Sequence, residues 1–234
     1  MQRHVVAMGG GGFSMDDPAL DRFVLSLVDA ARPKVCFVPT ASGDADGYVA
    51  RFYEAFPTAS FDARVLLLFE REVADVTSFL GEHDVVYVGG GNTANLLAVW
   101  RLHGVEVGLR RAWEAGVVMA GVSAGANCWF EASTTDSFMV GQADVLADGL
   151  GMVAGSFCPH YDGEPERRPR FRDAVASGSL PAGIACDDFA AVHLVGDVLV
   201  EGVASTPGAG AYSVTPGPGG WVEEPIAVRR LEGI

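Results

Sequence analysis

A serine lies at the centre of a glycine-framed pentapeptide that could supply a nucleophile. Residues 121–125 read Gly-Val-Ser-Ala-Gly, after the apolar run 117–120 and before a segment of small residues. This Gly-x-Ser-x-Gly spacing is typical of a strand that turns abruptly into a helix, with the serine hydroxyl exposed at the corner. Glycine is needed there because the turn leaves no room for Cβ atoms. The same residues also fit a plain strand–helix turn in which Ser123 is only a helix cap.

A serine nucleophile needs a base, and the chain has five histidines. His160 follows an apolar segment and a proline and opens the loop Tyr-Asp-Gly-Glu, the kind of strand-end loop in which catalytic bases are placed. The other four histidines are predicted to be structural. His4 lies at the start of a strand and His83 in a polar stretch before one. His103 lies at a helix end, and His193 alternates with apolar residues in a strand. His160 is therefore the candidate base.

An acid that orients the base is expected further along the chain. Asp187 and Asp188 follow the apolar segment 183–186, although such a pair also fits a turn that bonds to its own backbone. Asp136 and Asp162 are the other candidates. The resulting order Ser, His, Asp differs from the Ser, Asp, His order of α/β-hydrolases, so the ordinary esterase fold is not expected.

Strand and helix patterns alternate up to the pentapeptide. Apolar runs at 4–8, 34–38, 64–69, 84–88 and 117–120 are separated by segments with helical spacing. Near-continuous apolar strands predict an α/β fold, a mostly parallel sheet covered by helices on both faces. Residues 183–195 and 198–203 predict a C-terminal β-hairpin, and the Gly- and Pro-rich tail 207–220 is expected to be a loop. We expect one domain, 1–234, whose glycine loop 89–91 lies with Ser123 beyond the C-terminal ends of the strands.

Composition limits the classes of partner. The formal net charge is −14 with 49% hydrophobic residues, which indicates a globular protein that does not bind nucleic acid or an anionic membrane. The glycine run 9–12 lacks the Gly-x-Gly-x-x-Gly spacing of a dinucleotide-binding turn. The cysteines, at 36, 128, 158 and 186, form no CxxC motif and are expected to be buried reduced thiols. With no signal-peptide pattern and no run of about 20 apolar residues, we expect a cytoplasmic protein. The cysteine spacing predicts no metal site.

Four stretches taken together resemble the peptidase E family of aspartyl dipeptidases. They are Val-Gly-Gly-Gly-Asn-Thr at 88–93, Gly-Val-Ser-Ala-Gly-Ala-Asn at 121–127, Thr-Thr-Asp at 134–136 and Pro-His-Tyr at 159–161. The resemblance implies a fold similar to class I glutamine amidotransferases. It also implies hydrolysis of dipeptides with an N-terminal aspartate by a serine nucleophile, a histidine base and an acid, without a cofactor.

Carried over by position, the resemblance assigns the roles of individual residues. Ser123 is the nucleophile, His160 is the base, and Asp187 is given the role of the acid. Because the family's acid is usually glutamate, the choice between Asp187 and Asp188 stays open. The amides of Gly90 and Ala124 would form the oxyanion hole. Among the four arginines between 167 and 172, Arg167 is assigned to the substrate carboxylate, with Asn92 as a second substrate-binding residue.

Two other functions compete with the aspartyl dipeptidase. One is a related serine hydrolase of β-aspartyl or cyanophycin-like peptides, and the other is a catalytically inactive binding protein of the same fold. A glutaminase is disfavoured because Ser123 stands where those enzymes use cysteine, and Cys128 lies more than a helical turn away. The expected partner is a small peptide substrate, and the sequence leaves open whether the chain forms a homo-oligomer.

Overall fold

The computed structural model describes residues 2–232, which form two β-sheets with helices packed against them. The strands are β1 His4–Met8, β2 Lys34–Val38, β3 Asp62–Val65, β4 Val85–Val88, β5 Val118–Val122, β6 Phe130–Thr135, β7 Asp144–Leu146, β8 Val153–Cys158, β9 Gly183–Cys186, β10 Ala190–Val195, β11 Val198–Ala204, β12 Ala211–Gly217, β13 Gly220–Ile226 and β14 Val228–Arg230. The helices are α1 Pro18–Leu25, α2 Asp46–Ala55, α3 Val76–Gly81, α4 Thr93–His103, α5 Val105–Glu114, α6 Ala124–Asn127 and α7 Arg167–Ala176, with 3₁₀ turns at Phe13–Met15 and Thr40–Ser42.

The first sheet has eight strands in the order β14-β11-β10-β1-β5-β4-β2-β3, and β1 to β5 run parallel to one another. Successive residues of its central strands enter separate cores on opposite faces. In β1, for example, Val5 and Ala7 pack into one core and Val6 and Met8 into the other. Burial of both faces explains why these strands are apolar throughout. The predicted α/β class, a mostly parallel sheet covered on both faces, is confirmed.

The second sheet has six strands in the order β13-β12-β9-β8-β6-β7. Its strand β9 and the following β10 correspond to the single strand predicted at 183–195, because residues 187–189 carry the chain from the second sheet to the first. β10 and β11 pair antiparallel across the turn at Gly196 and Asp197. The tail predicted to be a loop instead contains β12, which pairs with both β9 and β13.

The sheet order brings four loops to one edge of the first sheet. The parallel strands β1, β2, β4 and β5 end at Met8, Val38, Val88 and Val122, and each is followed by a glycine- or proline-containing turn or by Ser123. In parallel sheets this edge is where ligands bind. Among the residues 2–232, no helix combines the length and the apolar composition needed to cross a membrane.

Candidate active site

Ser123 stands on a strained corner between β5 and α6. It adopts φ 55° and ψ −114°, and its amide donates to the carbonyl oxygen of Met8 at 3.1 Å. The flanking glycines are required by close packing. A Cβ atom on Gly121 would lie 2.0 Å from the carbonyl oxygen of Gly125, and one on Gly125 would lie 2.2 Å from that of Val88. The pentapeptide therefore forms a nucleophile elbow that exposes the serine hydroxyl.

His160 lies against this serine. It follows β8 and Pro159, and its Nε2 atom is 2.9 Å from Oγ of Ser123. Its Nδ1 atom is 2.6 Å from Oδ1 of Asp188. Because a carboxylate only accepts hydrogen bonds, Nδ1 carries the proton and Nε2 is left to accept from the serine hydroxyl. Ser123, His160 and Asp188 thus form a continuous hydrogen-bonded triad.

The assignment of the acid to Asp187 is wrong in this geometry. The Asp187 carboxylate is buried and accepts from the amide of Gly210 at 2.9 Å and from the hydroxyl of Tyr212 at 3.3 Å. Burial raises the pKa of this carboxyl above its ordinary value. Asp188, one residue later, is the one that contacts His160, and its own amide donates to Asp162. Asp187 therefore supports the second sheet and Asp188 completes the triad.

Two glycines make the space that Asp188 occupies. A Cβ atom on Gly10 would lie 2.0 Å from Oδ1 of Asp188, and one on Gly163 would lie 2.4 Å from Oδ2. Ser123, His160 and Phe189 all have positive φ, at 55°, 51° and 64°. Two of these residues, Ser123 and His160, belong to the triad, and Phe189 directly follows the third member, Asp188. The glycine run 9–12 thus has a role in shaping the site and not in binding a dinucleotide.

Of the two backbone amides predicted to form the oxyanion hole, those of Gly90 and Ala124, one already donates to a side chain. Gly90 lies beside the nucleophile, since a Cβ atom on it would be 3.4 Å from Cβ of Ser123. Its amide, however, donates to the hydroxyl of Tyr48 at 3.2 Å. The amide of Ala124, at the first residue of α6, has no hydrogen-bond acceptor within residues 2–232. Ala124 thus offers a free donor, and the Gly90 amide is already occupied by a side chain.

The two residues predicted to bind substrate have structural contacts instead. Arg167 is only 3% exposed, and its guanidinium donates to Glu164, to the carbonyl oxygen of Thr134 and to Asp136. Asn92 caps α4, accepting from the amide of Asn95 at 2.8 Å and donating to the carbonyl oxygen of Ser137 at 2.9 Å. Neither side chain lines the cleft beside Ser123. The structure thus gives both side chains structural partners, and their predicted contact with substrate stays a prediction.

The cleft itself has a volume of about 480 Å³ and opens beside the triad. Its walls come from the turn at 13–15, helix α2, the glycine loop and the elbow: Ser14, Met15, Gly47, Tyr48, Arg51, Gly90, Gly91, Val122, Ser123 and His160. Arg51 is the one arginine or lysine in this lining, and it is exposed. One nitrogen of its guanidinium donates to the carbonyl oxygen of Ser14 at 3.1 Å.

Sequence reasoning missed Tyr48 and Arg51. Their i, i+3 spacing places them on one side of α2, a helix that the sequence does predict. The sequence does not reveal that α2 packs beside the glycine loop, because the contact between Tyr48 and Gly90 joins residues 42 positions apart. Within the described range 2–232, no cluster of three or more His, Cys, Asp or Glu side chains is arranged to hold a metal ion.

The sequence matches known peptidases over nearly its whole length. The model of peptidase family S51 matches residues 5–201. The uncharacterized peptidase YgaJ of Bacillus subtilis (strain 168) is 47% identical over 231 residues, covering 98% of this chain and 99% of the relative. Peptidase E of Streptomyces coelicolor is 32% identical, covering 70% of this chain and 68% of the relative.

A solved structure supports the same fold. The crystal structure of a peptidase from an acI-B1 Actinobacterium superposes with a TM-score of 0.75, covering 97% of this chain and 95% of that chain. The two sequences are only 18% identical, so this similarity concerns the fold.

Proposed function

Because the chain belongs to peptidase family S51, a family of serine peptidases, we propose that it is an exopeptidase that hydrolyses dipeptides with an N-terminal aspartate. The observation that carries the proposal is the unbroken chain of hydrogen-bond contacts from Ser123 through His160 to Asp188. It favours an active enzyme over the catalytically inactive binding protein, because a binding site has no need for a nucleophile aligned with its base.

The geometry accounts for each step of amide hydrolysis. Oγ of Ser123 attacks the peptide carbonyl carbon while Nε2 of His160 takes the hydroxyl proton. The carbonyl electron pair moves onto oxygen, where the free amide of Ala124 stabilises it. When the C–N bond breaks, His160 returns the proton to the leaving amine. Water, activated by the same histidine, then attacks the acyl-enzyme and releases the acid. Asp188 keeps the imidazole in the productive tautomer and stabilises its charged form.

Selectivity for aspartate is assigned to Arg51. Guanidinium binds a carboxylate through parallel hydrogen bonds, and Arg51 uses only one of its nitrogens in its contact with Ser14. It is the residue of the cleft lining that carries a fixed positive charge, and the protein as a whole has a net charge of −14. A local cation in an acidic protein attracts an acidic ligand to one place. This role replaces the one first assigned to Arg167.

A neighbouring cavity favours β-aspartyl peptides with a basic second residue as an alternative substrate. This cavity, about 440 Å³, has Arg22 and Arg51 in its wall together with the acidic residues Asp16, Asp17 and Glu54 and the buried Asp21. A β-aspartyl-arginine unit could place its carboxylate at Arg51 and its guanidinium beside Asp16, Asp17 and Glu54. This is the cyanophycin-like substrate class, and it requires the same triad.

The test is hydrolysis of a matched panel of substrates. Aspartyl, glutamyl, alanyl and β-aspartyl p-nitroanilides would be assayed with the native protein and with Ser123→Ala, alongside the dipeptides Asp-Leu, Asn-Leu and β-Asp-Arg. We expect turnover of the aspartyl compounds to exceed that of the alanyl and asparaginyl ones and to vanish in Ser123→Ala. Turnover confined to the β-aspartyl compounds would establish the alternative. Activity that survives in Ser123→Ala would contradict the triad.

A further inference from the structure

Tyr48 lies in the wall of the cleft that also contains Ser123. The ring packs against Phe13 and Phe37, with centroids 5.4 and 5.0 Å apart, so its position is fixed by buried aromatic contacts. The hydroxyl oxygen accepts the amide proton of Gly90 at 3.2 Å. Gly90 flanks Ser123, and Tyr48 lines the same cleft as Ser123 and His160, so the phenol and the serine hydroxyl face one ligand space.

The hydrogen bond from the Gly90 amide makes the Tyr48 hydroxyl an acceptor at that contact and leaves its proton to be donated elsewhere. A phenol oxygen that accepts from a backbone amide still has its own proton to donate. The nearest side-chain hydroxyl is that of Ser14, which donates its own proton to the carbonyl oxygen of Gly11 and keeps lone pairs that can accept from the phenol until a ligand competes for it. Burial raises the pKa of Tyr48, so the proton is retained at neutral pH. The cleft therefore contains a protonated phenol, held in place by Gly90, whose O–H can donate to a ligand.

We propose that Tyr48 is a catalytic residue whose hydroxyl donates a hydrogen bond to the oxyanion, together with the amide of Ala124. When Oγ of Ser123 bonds to the substrate carbon, the carbonyl π electrons move to oxygen and the two donors bind the resulting charge. No proton is transferred from Tyr48. Gly90 acts through Tyr48, holding and polarising the phenol, and its role differs from that of the direct donor predicted from the sequence. The inference rests on the proposed role of Ser123 as nucleophile.

The test compares Tyr48→Phe with Tyr53→Phe. Both substitutions remove one hydroxyl from α2 and keep an aromatic ring, but Tyr53 is 40% exposed and lies outside the cleft lining. Initial rates would be measured with an aspartyl p-nitroanilide and with p-nitrophenyl acetate, an activated ester that requires acylation of the serine without aspartate recognition. A peptide boronic acid, which forms a tetrahedral adduct with the serine, would report on oxyanion binding.

Loss of one oxyanion donor typically lowers kcat by about 100-fold or more. We expect Tyr48→Phe to lose about this factor in kcat with KM changed less than about threefold, and to lose boronic acid affinity in parallel. Tyr53→Phe should behave like the native protein. An unchanged kcat, or an effect confined to KM, would overturn the inference. So would a faster Tyr48→Phe, since it would mean that the phenol blocks the Gly90 amide.

The ester separates this inference from the proposed function. If the native protein turns over the ester but no aspartyl compound, the proposed specificity fails while the effect of Tyr48→Phe on acylation still decides the role of Tyr48. If the native protein acylates with neither substrate nor boronic acid, Ser123 is not the nucleophile, and the role of Tyr48 is overturned with it.

Discussion

Nδ1 of His160 lies 2.6 Å from Oδ1 of Asp188, at the point where the chain passes from the second sheet to the first. The carboxylate of the preceding residue, Asp187, accepts a hydrogen bond from the amide of Gly210, the residue before β12. Two adjacent aspartates thus serve different purposes. Asp188 contacts His160, the proposed base, and Asp187 bonds to the segment that leads into β12.

This division predicts opposite outcomes for two isosteric substitutions. Asp188→Asn should lower kcat by about 10³- to 10⁴-fold, because an amide does not hold the imidazole in the tautomer that accepts the serine proton. Asp187→Asn should lower kcat by less than about tenfold, since an amide oxygen can still accept from Gly210. Steady-state kinetics on an aspartyl p-nitroanilide, with circular dichroism to verify folding, would decide. Equal losses in the two variants would show that the acid is not Asp188 alone.

Arg51→Ala should abolish the preference for aspartate without abolishing catalysis. A hydrogen bond to a charged group contributes about 1.5–3 kcal/mol, so kcat/KM for an aspartyl substrate should fall roughly 10- to 100-fold while that for the alanyl analogue stays nearly constant. Arg32→Ala is the matched control, because Arg32 is also exposed and also donates to backbone carbonyl oxygens, those of Thr58 and Phe61. An equal loss on both substrates would contradict a role in selectivity.

Arg167→Ala should affect stability and not substrate recognition. The buried guanidinium bonds to the carbonyl oxygen of Thr134, which also accepts from Asn127, and so joins α7 to β6 and the elbow helix. Its removal should lower the free energy of unfolding by about 2 kcal/mol, as for the loss of hydrogen bonds to a charged group. Urea unfolding measures this change. A large rise in KM for aspartyl substrates at unchanged stability would restore the substrate role predicted from the sequence.

Local sequence signals predicted the parts of the site that depend on local structure. The elbow at Ser123 is set by glycines on either side of it, and His160 is marked by the strand and proline before it. The parallel sheet follows from strands that are apolar on both faces. Each of these features depends on residues within a few positions of one another.

Features that depend on distant segments were not predictable in the same way. The choice of Asp188 over Asp187 depends on the space left by Gly10 and on the positive φ of Phe189. Arg51 enters the cleft only because α2 packs near the glycine loop. Strand β12 lies in the Gly- and Pro-rich segment predicted to be a loop, and it is held as a strand by pairing with β9 on one side and β13 on the other.

Asp21 makes the stability of the protein depend on pH. Its carboxyl is buried in α1, where one oxygen accepts from the Tyr87 hydroxyl at 3.0 Å and the other has no hydrogen-bond partner within the described range 2–232. Burial raises its pKa from 3.8 to about 7, with the Tyr87 hydrogen bond acting in the opposite direction. The folded protein therefore keeps a proton that the unfolded chain releases near pH 4, and stability falls as pH rises from about 4 to about 7.

Asp21→Asn should remove this dependence. By linkage, a pKa difference of this size corresponds to a loss on the order of 4 kcal/mol across that pH range, because each pKa unit is worth about 1.4 kcal/mol. The variant should thus gain stability relative to the native protein at pH 8 and gain little at pH 4.5, as measured by urea unfolding at both values. Asp29→Asn, at an exposed position shortly after α1, should show no such divergence. A stability difference between Asp21→Asn and the native protein that is the same at both pH values would show that Asp21 is ionised in the folded state throughout.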